Sequence, residues 1–203
     1  MTNPLKIDEP AQLLVEGRDA QAFFCAFLEK MKIQDMQVHN FGGINELPGF
    51  LRGFVRIPDF ADNVRSLGIV RDAEDNPRSA FQSVCSALER ARLPLPSGPE
   101  TPTTGRPYVS VLILPDSETP GMLETVCLRA VSSDPVMECV DEYFECVNQR
   151  GFHPRLIDKA KLQAFLASRP EQELLGHAIR NNSISWESEE FNHIKQFLSS
   201  LLP

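Results

Sequence analysis

Short apolar runs that stop at an acid, separated by amphipathic stretches of helical period, constrain this chain more than any other feature of its sequence. Val109-Ser-Val-Leu-Ile-Leu-Pro115 is the plainest run and gives way to Asp116. Ala11-Gln-Leu-Leu-Val-Glu-Gly17 stops at Glu16, and Val64 to Asp72 stops at the cluster Asp72-Ala-Glu-Asp75. A further short run, Met36 to Phe41, closes on Gly42-Gly43. Between them the period changes. Ala20 to Met31 gathers Phe23, Phe24, Phe27 and Leu28 on one side, with Asp19 in the place of an N-cap. Asn45 to Phe60 carries Leu47, Phe50, Leu51, Phe54 and Val55 at helical spacings and ends near Pro58. Asn76-Pro77 opens another helix, with Phe81, Val84, Cys85 and Leu88 along one face.

Strands alternating with helices imply a largely parallel sheet covered on both faces, a three-layer α/β/α fold. Leu93 to Pro107 holds five prolines and two glycines and reads as a turn-rich connection or a small strand pair. From Gly121 the chain is helical over Met122 to Val131, Pro135 to Arg150, Asp158 to Ser168 and Ser188 to Leu202. The expected organisation is one α/β domain over residues 1–165, with a helical extension, 166–203, packed on it. Ligands of such sheets sit outside the carboxyl ends of the strands. Glu16, Asp72 and Asp116 each terminate a run, so the pattern predicts that all three converge on one edge.

Charge narrows the function. The 203 residues hold 20 basic and 28 acidic side chains, a net charge of −8. Such a surface repels phosphates, which excludes a protein that coats nucleic acid by neutralising it. The longest apolar runs fall far below the roughly 20 residues of a bilayer span, and the first ten residues lack an apolar signal core. A cytoplasmic location without membrane contact is the expectation. Five cysteines, with no C-x-x-C pair, exclude a zinc ribbon or disulfide framework and read mainly as buried thiols. The histidines are scattered; His153 reads as a loop residue and Trp186 as a prop for the last helix. No P-loop, nucleophile elbow, zincin or dinucleotide fingerprint is present.

Carboxylates gathered on one edge repel each other unless a cation lies between them. A hard divalent ion with oxygen ligands answers that need, and Mg²⁺ characteristically uses one or two carboxylates together with phosphate oxygens. Held so, it polarises a phosphodiester and activates water.

At these residues the chain resembles a known family. Leu-Leu-Val-Glu16-Gly17-Arg-Asp19, followed by Gly-Ile-Val-Arg-Asp72-Ala-Glu74-Asp75, is similar to the TOPRIM domain of topoisomerases, bacterial primases and OLD-type (overcoming lysogenization defect) nucleases. His-Asn-Phe-Gly42-Gly43-Ile-Asn45 resembles the intervening turn of OLD-type members, and Pro-Gly121-Met-Leu-Glu124 their acidic helix start. The likeness spans residues 10–165 and extends to small bacterial proteins built around this domain alone. It implies a TOPRIM-like fold binding Mg²⁺ or Mn²⁺ and acting on phosphodiesters as a nuclease-type hydrolase. Glu16 would manage protons and share the metal with Asp72, Glu74 and Glu124. Lys161, or Lys159 beside it, falls where a late lysine stands, and Lys161 is taken as catalytic. The D-x-D position reads Asp72-x-Glu74 with Asp75 adjacent, so either second acid fits. Arg18, Arg71 and Arg78 lie near enough in sequence to meet phosphates. The partner implied is nucleic acid or a nucleotide, with recognition supplied by this domain or by another protein. The competing reading is an inactive module of this fold that binds a nucleotide or a protein, and a third is a different doubly wound fold whose acids are solvated turns.

Overall fold

The computed structural model describes residues 6–170 and 174–202. Four strands, β1 (Ala11–Val15), β2 (Met36–Asn40), β3 (Ser66–Asp72) and β4 (Tyr108–Leu114), form one sheet in the order β2-β1-β3-β4. Every pairing is parallel, with Val15 opposite Val70 and Asp72 opposite Leu114. Side chains alternate across a strand, and the sequence follows that period. Leu67 and Ile69 of β3 and Val109, Val111 and Ile113 of β4 enter one core. Val70, Leu112 and Leu114 enter the other, with Ala11, Leu13 and Val15 of β1.

The helices divide between these faces. Helices α2 (Leu47–Phe54), α3 (Phe60–Asn63) and α4 (Pro77–Arg90) cover one. The opposite face takes α1 (Gly17–Met31), α5 (Leu123–Ala130), α6 (Val136–Gln149), α7 (Ile157–Ala167), α8 (Leu175–Arg180) and α9 (Asn192–Ser200). The fold is therefore a three-layer α/β/α arrangement. Asn76 caps α4 by accepting from the Ser79 N–H at 2.9 Å, as its place before Pro77 predicts.

The C-terminal helices lie against the sheet. A Cβ on Gly68 of β3 would stand 2.4 Å from a Leu201 methyl and 3.3 Å from the Phe197 ring. Ser66 Oγ donates to the Leu201 carbonyl at 2.5 Å, and Tyr108 Oη to that of Ser200 at 2.5 Å. Trp186 meets Phe27 edge-on, with ring centroids 6.4 Å apart, under the ammonium of Lys195. The proline-rich connection runs beside β4: Glu100 N–H donates to Val111 at 2.8 Å and Thr103 N–H to Val109 at 2.9 Å. Only an isolated bridge, Gly98 with Thr101, forms within it, so it shields the sheet edge without making a strand pair of its own.

Three local expectations are corrected. Glu16, not Asp19, occupies the N-cap position of α1, because Gly17 at φ 84° turns the chain straight from strand into helix. Only Cys127 among the cysteines is buried; Cys139 and Cys146 fall on the outer side of α6 and are exposed. Helix α8 was not anticipated, since Gly176 interrupts its short apolar pattern. Among the described residues, no helix is long and apolar enough to cross a membrane.

Candidate metal centre at the β1–β3 edge

The strand order reverses direction at one place. From β1 the chain moves outward to β2, then returns across β1 to β3 and continues to β4. Such a switch point opens a crevice at the strands' carboxyl ends. Glu16 and Asp72 close the two strands that flank it.

Glu16 is held by its surroundings. The Gly17 N–H donates to the Gly42 carbonyl and to Asn40 Oδ1, both at 3.1 Å, which ties the end of β1 to the turn after β2. Glu16 Oε1 accepts from the Ile44 N–H at 3.1 Å, while its buried Oε2 has no hydrogen-bond partner. Burial pushes this carboxyl above its ordinary value; Arg71 opposes the effect, while Glu74 and Glu46 add to it. Arg71, itself buried, donates to Ser83 Oγ and keeps an unpartnered Nε.

Asp72 Oδ1 accepts from the Leu123 N–H at 2.9 Å, the first amide of α5, where an acid is favoured by the exposed N–H groups. Its pKa is nevertheless pushed up to about 7, first by burial and next by the Glu124 charge. Glu16 and Glu74 push the same way, and the Leu123 bond only partly offsets them. Glu124 is 8% exposed in the first turn of α5. Lys159 Nζ reaches Glu124 Oε1 and Asp19 Oδ2, each at 3.3 Å. Burial alone would lower this lysine's pKa, but Glu124 and Asp19 outweigh it and hold the ammonium above its usual value. Thr125 Oγ1 donates to Asp158 Oδ2 at 2.5 Å and fixes α7 against α5.

Glu16, Asp72, Glu124, Asp19 and Lys159 line a common cavity of about 160 Å³. Asp72, Glu124 and Lys159 also border a cleft of about 510 Å³, with Glu74, Asp75 and Arg155. A neighbouring cavity of about 640 Å³ has a mainly apolar lining and touches this edge only through Asp19, Glu124 and Lys159. The chemistry is therefore placed by the acids and not by cavity size.

The sequence profile of a family described as a protein of unknown function, DUF3226, matches residues 10–203. The chain belongs to the DUF3226 family. No curated protein matches this DUF3226 chain. One solved structure, the C-terminal region of the OLD protein of Xanthomonas campestris pv. campestris, is similar at 14% identity and a TM-score of 0.48, covering 97% of this chain and 98% of that one.

The positions named from the sequence separate clearly in the DUF3226 chain. Glu16, Asp72 and Glu124 share one cavity. Glu74 stands beside it on the exposed wall of the adjoining cleft with Asp75; of these two, Glu74 is the one whose charge reaches both Glu16 and Asp72. Asp116 does not join them. It lies at the end of β4, beyond β3, where it accepts from the Glu118 and Thr119 amides at 2.9 and 2.7 Å and pairs with Arg129 at 3.6 Å. Lys161 faces α6 and pairs with Asp141 at 2.6 Å. Residues two apart on a helix point to opposite sides, so Lys159 takes the acid edge and Lys161 cannot. Arg18 lines the cavity, whereas Arg78 borders none of these clefts. Asp19 and Arg155 were not assigned to the site from the sequence; Asp19 read as a cap, and nothing in the local pattern marks Arg155.

The residues suit a hard divalent cation held by few protein ligands. All candidate donors are carboxylate oxygens, Glu16 Oε2 is buried without a partner, and the charged form of Asp72 is disfavoured by burial and by its acidic neighbours. Among the described residues, no group of three or more His, Cys, Asp or Glu side chains is already placed to hold a metal ion.

Proposed function

We propose that this chain is a TOPRIM-like, Mg²⁺- or Mn²⁺-dependent hydrolase of phosphodiesters, acting as a nuclease. The observation that carries the reading is the meeting of Glu16 and Asp72 at the switch point, with Glu124 beside them and Glu16 Oε2 unpartnered. Asp72 and Glu124 are the principal candidates to hold the ion, with Glu16 and Glu74 near it. A divalent ion there supplies charge neutralisation for a phosphate and a more acidic water.

The chain's own groups do the rest. Glu16, with its raised pKa, accepts a proton from the attacking water at Oε2. Arg71 keeps positive charge beside Glu16. Lys159, bridging Asp19 and Glu124, holds α7 to the site and offers an ammonium to the phosphate. Glu16→Gln combined with Asp72→Asn is expected to abolish Mn²⁺-dependent cleavage of a labelled oligonucleotide while leaving the fold intact. Cleavage at the wild-type rate would sink the assignment.

A second reading rests on the Lys159–Glu124 pair, which already supplies a cation to one of the acids. Under it the edge binds a nucleotide, or a protein partner, without hydrolysis. Calorimetric titration with Mg²⁺ and Mn²⁺ decides between the readings: heat of binding that disappears in Asp72→Asn supports the hydrolase, and none at millimolar metal supports the binding module.

A further inference from the structure

The three cavities at the carboxyl edge share Glu124 and Lys159 and so form a trough that passes the acids and continues on both sides. Its two arms differ in chemistry. One is the cleft of about 510 Å³ between the Asp72–Asp75 turn and the start of α7; Glu74, Asp75 and Asp158 line it with Asp72 and Glu124, and Arg155 is exposed there without an ion pair among the described residues. The other, of about 640 Å³, runs along α7 to the start of α8. Leu162, Leu166 and Leu175 form its floor, with Gln163 and Ala167 exposed at its rim.

A cation on one arm and an apolar floor with an amide rim on the other match a phosphate and an unpaired base. Bases in a duplex are stacked and paired, and offer such a floor nothing without being extruded at a cost. Bases in a single strand present their faces freely. We infer that the substrate is a single-stranded polynucleotide laid along this trough, one base on the Leu162–Leu166–Leu175 floor and a phosphate beyond the acids at Arg155. This inference deepens the hydrolase reading and rests on it for the position of the scissile phosphate. The net charge of −8 leaves few cations for the backbone, so the base contact carries a large share of the affinity.

The test is fluorescence anisotropy with the full-length Glu16→Gln chain in Mg²⁺, using labelled single-stranded DNA, single-stranded RNA and duplex DNA of equal length. Both single strands are expected to bind at least about tenfold more tightly than the duplex, and the difference between them identifies the preferred sugar. Adding Ala167→Glu places a charge at the rim of the apolar arm and is expected to weaken single-strand binding about tenfold without moving duplex binding. Gln163→Glu, also exposed, serves if Ala167→Glu perturbs folding. Adding Arg155→Ala is expected to reduce the slope of log affinity against log salt by about 0.7, one phosphate contact to a single strand. Equal affinity for duplex and single strands, or rim variants that bind as their parent does, would overturn the inference. Single-strand binding without cleavage by the wild-type chain overturns only the hydrolase reading, and cleavage without strand preference overturns only the trough.

Discussion

Glu74 and Gly121 exchange two backbone hydrogen bonds, each 2.8 Å, and so clamp the turn after β3 to the loop before α5. Glu74 holds φ 52°, a conformation that disfavours a side chain, and Gly121 holds φ 139°. A Cβ on Gly121 would lie 2.7 Å from Thr125 Oγ1 and 3.0 Å from Pro115. The carboxylate of Glu74 is thus kept near Asp72 at a cost of about 1–2 kcal/mol in backbone strain.

Replacing Glu74 with glycine relieves that strain and keeps both backbone bonds. Part of the gain is lost to the freer unfolded chain. Glu74→Gly is therefore expected to equal or exceed the wild-type stability, by up to about 1 kcal/mol, in urea unfolding. If Glu74 helps to hold the ion, the same substitution lowers Mn²⁺-dependent turnover. A variant that loses stability would show that the side chain, and not the backbone clamp, supports the turn.

Asp72 gives the chain a pH dependence of known sign. Its folded pKa of about 7 lies above its ordinary value of 3.8, so the folded state retains a proton that the unfolded state releases. The contribution of Asp72 is fully present below the unfolded pKa and is lost as pH rises through about 7. Asp72→Asn stays neutral and can still accept from the Leu123 N–H. In chelator, this variant is expected to exceed the wild type by roughly 2–4 kcal/mol at pH 8 and to match it near pH 4. Denaturant titrations at the two pH values check this; a constant difference between them would contradict it.

The two lysines of α7 separate a residue at the acid edge from one paired on α6. Lys159→Met leaves Glu124, 8% exposed, without its cation. Because Lys159 is itself 38% exposed, the loss is discounted to about 1–2 kcal/mol at pH 7. Lys161→Met breaks only the pair with Asp141, whose side chain is 58% exposed, and is expected to cost about 0–1 kcal/mol. Paired thermal melts in low and high salt test this ordering, and the reverse order would place Lys161 at the acid edge.

Legibility in the sequence followed the range of the forces involved. The strands and their two-sided burial could be read because Leu67, Ile69, Val109, Val111 and Ile113 go to one core and Val70, Leu112 and Leu114 to the other. The convergence of Glu16 and Asp72 was legible because strand ends of a parallel sheet share an edge. Asp116 has the same local pattern but sits one strand farther from the switch point, a fact fixed only by the order β2-β1-β3-β4. Choosing Lys159 over Lys161 needs the rotation of α7, set by packing of Leu162 and Phe165 into the core. Arg155 reaches the cleft through the α6–α7 turn, which has no periodicity to read.

Gly176 tests how closely α8 must pack on α1. Its missing side chain lets α8 approach α1 so closely that a Cβ would stand 2.7 Å from the Ala22 carbonyl oxygen and 2.9 Å from its carbon. The obstruction is backbone and cannot rotate away. Gly176→Ala gains helix propensity of roughly 1 kcal/mol but must separate the helices, at about 1–3 kcal/mol for overpacking. The net expectation is a loss of up to about 2 kcal/mol, read by urea unfolding. Ala22→Gly should not rescue it, because the carbonyl remains; rescue would mean that the Ala22 methyl, 3.0 Å from the same point, sets the approach instead. The displacement would also carry along α1, which starts beside Glu16. If the acid edge binds Mn²⁺ as proposed, its affinity is expected to fall in Gly176→Ala although Gly176 packs against Ala22 and not against the acids.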